Sequence, residues 1–516
     1  MHIKKRNKFS NYIMATNRLF YGDNLDVLRK YIRDETVDLC YIDPPFNSNR
    51  NYNQIYLNQG KEDKAQAQAF IDTWTWDKRA EDGILQIKNN QNGVFTRQSI
   101  NLITGLEKVL GHGDLLAYLV SMTLRIAEIF RVLKPSGSFY LHCDATASHY
   151  LKLLTDSIFC ANGGDFKREI IWSTTDTSGF KSRAKNWIRS HDIILFYVKS
   201  TKYYFKKLYW EHNPDYLKRF KKIDENGQKY RDDRPGGRKQ FLNDTLGKTI
   251  GDVWDDIDSF QQASTNPEYL GYPTQKRIAL LERIIEASSK ENDLILDAYC
   301  GCGTTIAAAQ QLKRNWIGID ITYQSISLIL KRLEDLFKEK GIKNIELNGV
   351  PQDIESAMAL AIKKDDRTRK EFEKWAILTY SNNRAIINEK KGSDKGIDGI
   401  SFVLDSDNES KEIIFSVKSG NVTVANIRDL RGVIEREDAA IGILITLENP
   451  TKPMIQECKT AGIYNNKLTN QSFERLQIIT INDIFDGKRL NMPMSLQVLK
   501  KAELKLNNTQ SKLFDL

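Results

Sequence analysis

A chain of 516 residues, 41% hydrophobic and 28% charged, has an ordinary globular composition and length for roughly three domains of about 150 residues each. No apolar run approaches the ~20 residues a membrane helix needs, and the basic N-terminus (Lys4, Lys5, Arg6, Lys8) lacks an apolar core and cleavage site, so neither a membrane span nor a secretory signal is expected. The net charge of +9 suggests a polyanionic partner. The six cysteines (Cys40, Cys143, Cys160, Cys300, Cys302, Cys458) form neither a disulfide framework nor a Cys-x-x-Cys zinc pair, and a reducing cytoplasm is expected.

Arg18 to Tyr21 reads as a strand, and Leu25, Leu28 and Tyr31 mark a short helix with Asn24 as its N-cap. Val37 to Ile42 is short, apolar and β-prone, as in a buried parallel strand, and Asp43-Pro44-Pro45-Phe46 ends it in a rigid loop. Residues 47–115 are polar and carry Tyr52, Tyr56, Trp74 and Trp76; at that length a lid or binding insertion is expected. Leu115 to Leu133 follows as a long amphipathic helix, Ser138 to His142 as a strand, Thr146 to Phe159 as a helix, and Glu169 to Trp172 and Ile193 to Tyr197 as strands. This alternation predicts a parallel α/β sheet.

Lys181 to Ile250 differs in character, with 18 Lys and Arg against 8 Asp and Glu. Trp187, Tyr203, Tyr204, Phe205, Tyr209, Trp210, Tyr216, Phe220 and Tyr230 are interleaved. Basic side chains neutralise phosphates and aromatics stack on bases, so this density favours nucleic acid over a plain solvated face. Arg234, Arg238 and Lys239 are candidate DNA contacts.

The α/β rhythm returns after Tyr272-Pro273-Thr274-Gln275-Lys276-Arg277. A helix is predicted over Ile278 to Ala287, a strand over Asp293 to Leu296, a tight turn at Gly301-Cys302-Gly303, a helix over Thr304 to Leu312, a strand over Trp316 to Ile319 and a helix over Thr322 to Phe337. Residues 341 to 370 read as a linker with a short helix. A second module starts after Glu371, with a helix (Phe372 to Tyr380), strands around Ile400 to Val403 and Ile413 to Val417, a helix (Val424 to Arg436) and a strand (Ile441 to Thr446). The tail from Lys500 is charged and polar.

In an open α/β sheet, ligands meet the carboxyl ends of the strands, which is where Asp43, Asp297 and Asp320 fall. Glycines at 301 and 303 let a ligand approach the backbone, and the helix opening at Thr304 presents free N–H groups to a pyrophosphate or carboxylate. Asp320 is placed to accept hydrogen bonds from ribose hydroxyls. A nucleoside-containing cofactor follows. This stretch alone leaves a nicotinamide cofactor open, whereas no lysine follows the glycines as a P-loop requires.

Together, Asp43 to Phe46 and Asp297 to Thr305 resemble the two signature loops of the DNA amino-methyltransferases that use S-adenosylmethionine. The order, with the catalytic loop first and the cofactor loop last, resembles the permuted beta-type members, which include the modification subunits of type III restriction systems. The resemblance covers roughly Arg18 to Lys340. Arg277 stands where the family has a proline, Ala298 replaces another, and Tyr299 replaces a phenylalanine. The resemblance implies a Rossmann-like α/β sheet and methylation of the exocyclic amine of adenine in double-stranded DNA, with cytosine as the alternative. It implies that Asp43 and the Pro44 carbonyl hold the target amine, that Pro45 belongs to the same rigid loop, and that Phe46 stacks on the flipped base. It assigns the cofactor to Asp23, Thr274, Gln275, Lys276, Asp297, Tyr299, Cys300, Gly301, Gly303, Thr304 and Asp320.

The second module resembles the Mrr-like branch of the restriction-endonuclease fold through Asp398 and Ser416-Val417-Lys418, with Glu373 as an additional acid. That family binds Mg²⁺ through its carboxylates. Serine is a poor Mg²⁺ ligand, so Ser416 puts cleavage in doubt and no metal site is assigned. The expected division is a catalytic half (1–180, with the insertion 47–115), a target-recognition region with the last strand of the sheet (181–268), a cofactor half (269–345), a linker (346–370), the nuclease-fold module (371–495) and a tail (496–516). A separate restriction subunit and a homodimer are conceivable partners. Competing readings are a DNA- or RNA-binding subunit with a vestigial methylase and a single polypeptide that both methylates and cuts.

Overall fold

Short β-branched and aromatic runs build a nine-stranded sheet. In chain order its strands are β1 (Asn17–Tyr21), β2 (Val37–Ile42), β3 (Leu133–Cys143), β4 (Asp165–Ser173), β5 (His191–Val198), β6 (Val253–Trp254), β7 (Leu294–Asp297), β8 (Asn315–Asp320) and β9 (Ile345–Asn348). The structure, a computed structural model, describes residues 17–45, 50–58, 61–72, 74–90, 93–174, 185–233, 236, 238–243, 246–260, 262, 265–272, 274–338, 344–351, 353–361, 366–388, 396–406, 409–488 and 491–493, with backbone alone between 50 and 72 and at 366–368.

The spatial order is β6-β4-β5-β3-β2-β7-β8-β1-β9. β5 is antiparallel to β3 and β4, and every other pairing is parallel. The expected parallel sheet is therefore mixed. No apolar helix pattern separates β4 from β5, and strands without a crossover helix pair antiparallel. β9 lies in the stretch read as the start of a linker; it pairs with β1 as the sheet edge.

The helices are α1 (Asn24–Tyr31), α2 (Lys78–Asn89), α3 (Arg97–Leu110), α4 (Asp114–Val132), α5 (Ser148–Phe159), α6 (Ile278–Ser288), α7 (Thr304–Gln311) and α8 (Tyr323–Phe337). The cap of α1 is Asp23, not Asn24: its carboxylate accepts the Leu25 N–H at 2.8 Å. The expected lid is only partly separate from the core. Ile84, Ile87 and Ile103 of α2 and α3 are buried with α4 and α5 under β2 and β3, and a Cβ at Gly83 would stand 2.9 Å from Val120. Arg50–Asn58 and Lys61–Asp72 form a hairpin ahead of them. In the basic segment, Lys222–Ile223, Lys229–Arg231 and Gln240–Phe241 make a small antiparallel sheet, and Tyr209–Trp210 pairs with Lys248–Thr249.

The second module has its own sheet, in the order β10 (Ala385–Ile387), β11 (Gly399–Ser406), β12 (Glu409–Lys418), β13 (Ile441–Thr446) and β14 (Leu476–Thr480). Helices α9 (Asp366–Tyr380) and α10 (Val424–Arg436) accompany it. One apolar cluster runs through both modules, joining Tyr323 and Ile329 to Phe372, Trp375 and Val403. Among the described residues, no helix is long and apolar enough to cross a membrane.

Candidate active site

Asp23, Asp43, Asp297 and Asp320 follow or end β1, β2, β7 and β8, four neighbouring parallel strands, at one edge of the sheet. The apolar strands fix these acids in place because both of their faces are covered. Pro44 is buried and terminates β2; Phe46 lies outside the described residues. Lys276 reaches across from the Tyr272–Arg277 segment, and its ammonium donates to Asp43 Oδ2 at 2.6 Å and to the Thr274 carbonyl at 3.3 Å. Asp43 Oδ1 is buried and has no hydrogen-bond partner among the described residues.

The Asp297 carboxyl is held near the turn by the Tyr299 N–H, 3.0 Å from Oδ1. Burial pushes its pKa up to about 7, and the charges of Asp43 and Asp320 add to the rise. Gly301 and Gly303 adopt left-handed φ of 48° and 76°, and a Cβ at 303 would come within 2.8 Å of Ile329. Gly303 caps α7 without a side chain on its first N–H groups. Asp320 accepts from the Gly301 N–H at 2.9 Å and from Thr322, and burial raises its pKa as well. Cys300 and Cys302 are buried, and burial pushes their thiols up; they pack rather than react.

Several predicted cofactor residues have structural partners. Asp23 caps α1 and pairs with Arg125 at 3.1 Å. Gln275 accepts from the Leu270 N–H and donates to the Glu268 carbonyl, both at 2.8 Å; this expected cofactor contact is committed to a loop, because its amide matches two backbone groups there. Thr274 carries a left-handed φ of 61°, a strained state for a β-branched residue. The Thr304 hydroxyl donates to the Lys276 carbonyl at 3.3 Å, tying the turn to the segment that carries the lysine. The Tyr299 hydroxyl reaches Met122 Sδ at 3.6 Å.

Sequence reasoning missed the residues beneath. Buried Glu268 accepts from the Ile278 N–H at 2.6 Å and from Arg277 at 3.1 Å, and fully buried Arg332 donates to the Cys302 carbonyl at 3.1 Å and to the Thr304 hydroxyl at 3.0 Å. Arg277, in place of the family's proline, thus has an ionic partner. His142 was missed too: its Nδ1 is 2.8 Å from the Tyr41 hydroxyl and its Nε2 3.2 Å from Asp192. The hydrogen bond and charge of His142 hold the Asp192 carboxyl below the usual range against the opposing effect of burial. A lone Glu, Arg or His carries no pattern by which sequence could single it out.

Arg238 and Lys239 fall beside the small sheet of the basic segment, where Lys239 Nζ lies 4.8 Å from the Tyr230 ring centre; Arg234 is outside the described residues. In the second module Asp398 immediately precedes β11 rather than ending a strand. It is anchored at the strand start because its own N–H donates to Phe415 of β12. Asp398 Oδ2 accepts from the Val417 N–H at 2.7 Å and from the Ser416 hydroxyl at 3.3 Å. At Glu373, burial and the Asp398 charge push the pKa up to about 7, and Lys418 opposes the rise. Among the described residues no group of three or more His, Cys, Asp or Glu could hold a metal ion.

A Rossmann-like sheet with acids at the ends of four neighbouring strands and a glycine turn opening a helix is the architecture of an α/β enzyme that binds a nucleoside-containing cofactor, and the family match makes it a methyltransferase. Residues 37–331 match the N6/N4 DNA methylase family, and the chain belongs to that family. It is 29% identical over 317 residues to the DNA adenine methyltransferase YhdJ of Escherichia coli (strain K12), covering 61% of this chain and 82% of that one. It is 37% identical over 316 residues to the type II methyltransferase M2.LlaDCHI of Lactococcus lactis subsp. cremoris, covering 61% and 88%. The solved M1.HpyAVI–SAM complex aligns with 61% of this chain and 98% of that one at 16% identity and a TM-score of 0.33, too distant to carry an argument. Residues 369–483 match a family described as NACHT-associated inactive restriction endonuclease 1.

Proposed function

We propose that this protein transfers the methyl group of S-adenosylmethionine to the exocyclic amine of adenine in double-stranded DNA, within a restriction-modification or related system. The observation that carries this reading is Asp43, with one carboxylate oxygen held by Lys276 and the other buried and unpartnered among the described residues at the strand edge. A flipped base supplies the missing donor. Oδ1 accepts one amine N–H and the Pro44 carbonyl the other, which leaves the nitrogen lone pair directed away for in-line attack. When bound, S-adenosylmethionine supplies a methyl made electrophilic by its sulfonium. The glycine turn and the open N–H groups of α7 fit such a cofactor. Asp320 would hold its ribose, Asp23 its adenine, and Thr274 and Lys276 its methionine end. No covalent enzyme intermediate is required.

Asp before Pro-Pro and the likeness to an adenine methyltransferase favour adenine. Methylation of the cytosine amine is the second reading, since the same acceptors serve it. The motif order supports a permuted, beta-type enzyme. For the second module, an Mrr-like ancestry with a lost ligand at Ser416 gives DNA grip or docking of a separate restriction subunit as its role, with Mg²⁺ relevant only if it cuts. Incubating purified protein with S-adenosylmethionine and unmethylated DNA, followed by digestion and mass spectrometry, tests the reading. N6-methyladenine is expected; methylcytosine alone refutes the adenine assignment, and no product refutes the enzyme.

A further inference from the structure

The nuclease-like module meets the methyltransferase sheet through a buried carboxylate. On α9, Glu371 Oε2 accepts the backbone N–H of Tyr323 at 2.9 Å and the Tyr21 hydroxyl at 3.3 Å, while Oε1 accepts from Lys374 at 2.9 Å. Tyr323 is the first residue of α8, and a carboxylate there meets the open N–H groups and positive end of the helix. Both tyrosines flank the cofactor edge. Tyr21 ends β1 two residues before Asp23, and Tyr323 follows Asp320 by three. Tyr21 pairs with Asp320 across β1 and β8, the Gly22 N–H donates to the Asp320 carbonyl at 2.9 Å, and the two tyrosine rings meet edge to face at 6.0 Å. The same face carries a second bond, between the Tyr323 and Thr379 hydroxyls at 3.2 Å.

The far side of α9 serves the other module. Glu373, two residues on and so turned away from Glu371, feels the charges of Asp398 and Lys418. One helix therefore contacts Tyr21 and Tyr323, beside Asp23 and Asp320, and also stands within reach of the charges of Asp398 and Lys418.

We propose that Glu371 is a positioning residue for the cofactor pocket, and that the nuclease-like module is retained as a buttress coupled to that pocket. Its docking fixes the loops of Asp23 and Asp320, and cofactor binding in turn tightens the docking, since coupling between two binding equilibria is reciprocal. This rests on the S-adenosylmethionine reading above.

Calorimetric titration of the full chain with S-adenosylmethionine tests it in the wild type, Glu371→Ala and Glu371→Gln. Leaving the Tyr323 N–H without its acceptor should weaken cofactor binding roughly tenfold in Glu371→Ala. Glu371→Gln keeps an acceptor oxygen and should stay within about threefold of wild type. DNA affinity measured without cofactor should not change. In the wild type, added cofactor should slow amide hydrogen exchange along α9. Wild-type cofactor affinity in Glu371→Ala, an equal loss of DNA affinity, or unchanged exchange in α9 would each overturn the coupling. If Glu371→Ala does not fold, the Gln variant and wild-type exchange still decide. A wild-type protein that binds no S-adenosylmethionine instead refutes the cofactor reading itself, and the coupling with it.

Discussion

Removing Asp43 takes from the buried Lys276 ammonium the carboxylate it meets at 2.6 Å. The Lys276 and Asp43 side chains are 8% and 17% exposed. Breaking a buried pair by deleting one partner costs ~3–5 kcal/mol, and the residual exposure of Asp43 argues for the low end, about 3 kcal/mol. Asp43→Ala should then lower the unfolding transition of the methyltransferase half by roughly 6 °C. Replacing both members, Asp43→Ala with Lys276→Met, removes the buried charge along with its partner and should recover most of that loss, so the two substitutions should not add. Methylation should behave differently, because the proposed mechanism needs the Asp43 acceptor. It should be absent from both proteins that carry Asp43→Ala, including the restabilised one. Thermal unfolding and a tritiated-methyl transfer assay on the same four proteins read the two effects. A double variant no more stable than Asp43→Ala alone would refute the buried pair, and methylation by either protein lacking the Asp43 carboxylate would refute the amine-acceptor role.

Replacing Arg234, Arg238 and Lys239 together should weaken DNA binding and flatten the dependence of log affinity on log salt by nearly one unit for each phosphate no longer neutralised; an unchanged slope means that these residues face away from DNA. Asp297, with its pKa raised to about 7, keeps its proton longer in the folded than in the unfolded chain. Its contribution is therefore most favourable at acid pH and is lost as pH rises from the ordinary carboxylate range through about 7. Denaturant titrations across that window should show the decline, and Asp297→Asn should flatten it; an unaltered pH profile refutes the buried, protonated acid. With Mg²⁺ and unmethylated DNA the protein alone should not cut, since Asp398 is engaged by Ser416 and Val417. Robust cleavage that disappears in Lys418→Ala would refute this.

The acids at the strand ends were legible because sequence places them after apolar runs that can only be buried strands. The glycine turn was legible because its conformation demands glycine, as φ of 48° and 76° bear out. The antiparallel direction of β5 leaves no mark in the strand's own residues; its signal is the missing crossover helix between β4 and β5, which the general α/β alternation outweighed. Strand β9 was hidden by its polarity: Glu346 and Asn348 suit an edge exposed to solvent but read as linker. Glu268, Arg332 and Glu371 were illegible for another reason. Each is a single charged residue outside any motif, whose meaning lies in the partner the fold brings to it, nine residues away for Glu268 and Arg277 and 350 for Glu371 and Tyr21. Gln275, conversely, lies in a motif whose resemblance implies a ligand contact, and here its amide holds a loop.

The neck of the basic segment bears on how such enzymes diverge. Tyr209–Trp210 and Lys248–Thr249 form a two-rung ladder, so the chain leaves and re-enters the domain at adjacent points. The Ile250 N–H donates to the Leu208 carbonyl at 3.0 Å below it, and Gly247 lies so close to the Trp210 carbonyl that a Cβ would stand 2.0 Å from that oxygen. Arg283 of α6 lies over the Trp210 ring at 4.9 Å and clamps the ladder to the catalytic body. An excursion with adjoining ends is the geometry in which one loop can be exchanged for another of any length without disturbing its host. Recombination between relatives would then find its natural crossover points at Trp210 and Lys248, and the enclosed basic segment could be replaced while the strand edge that carries Asp43 is inherited whole.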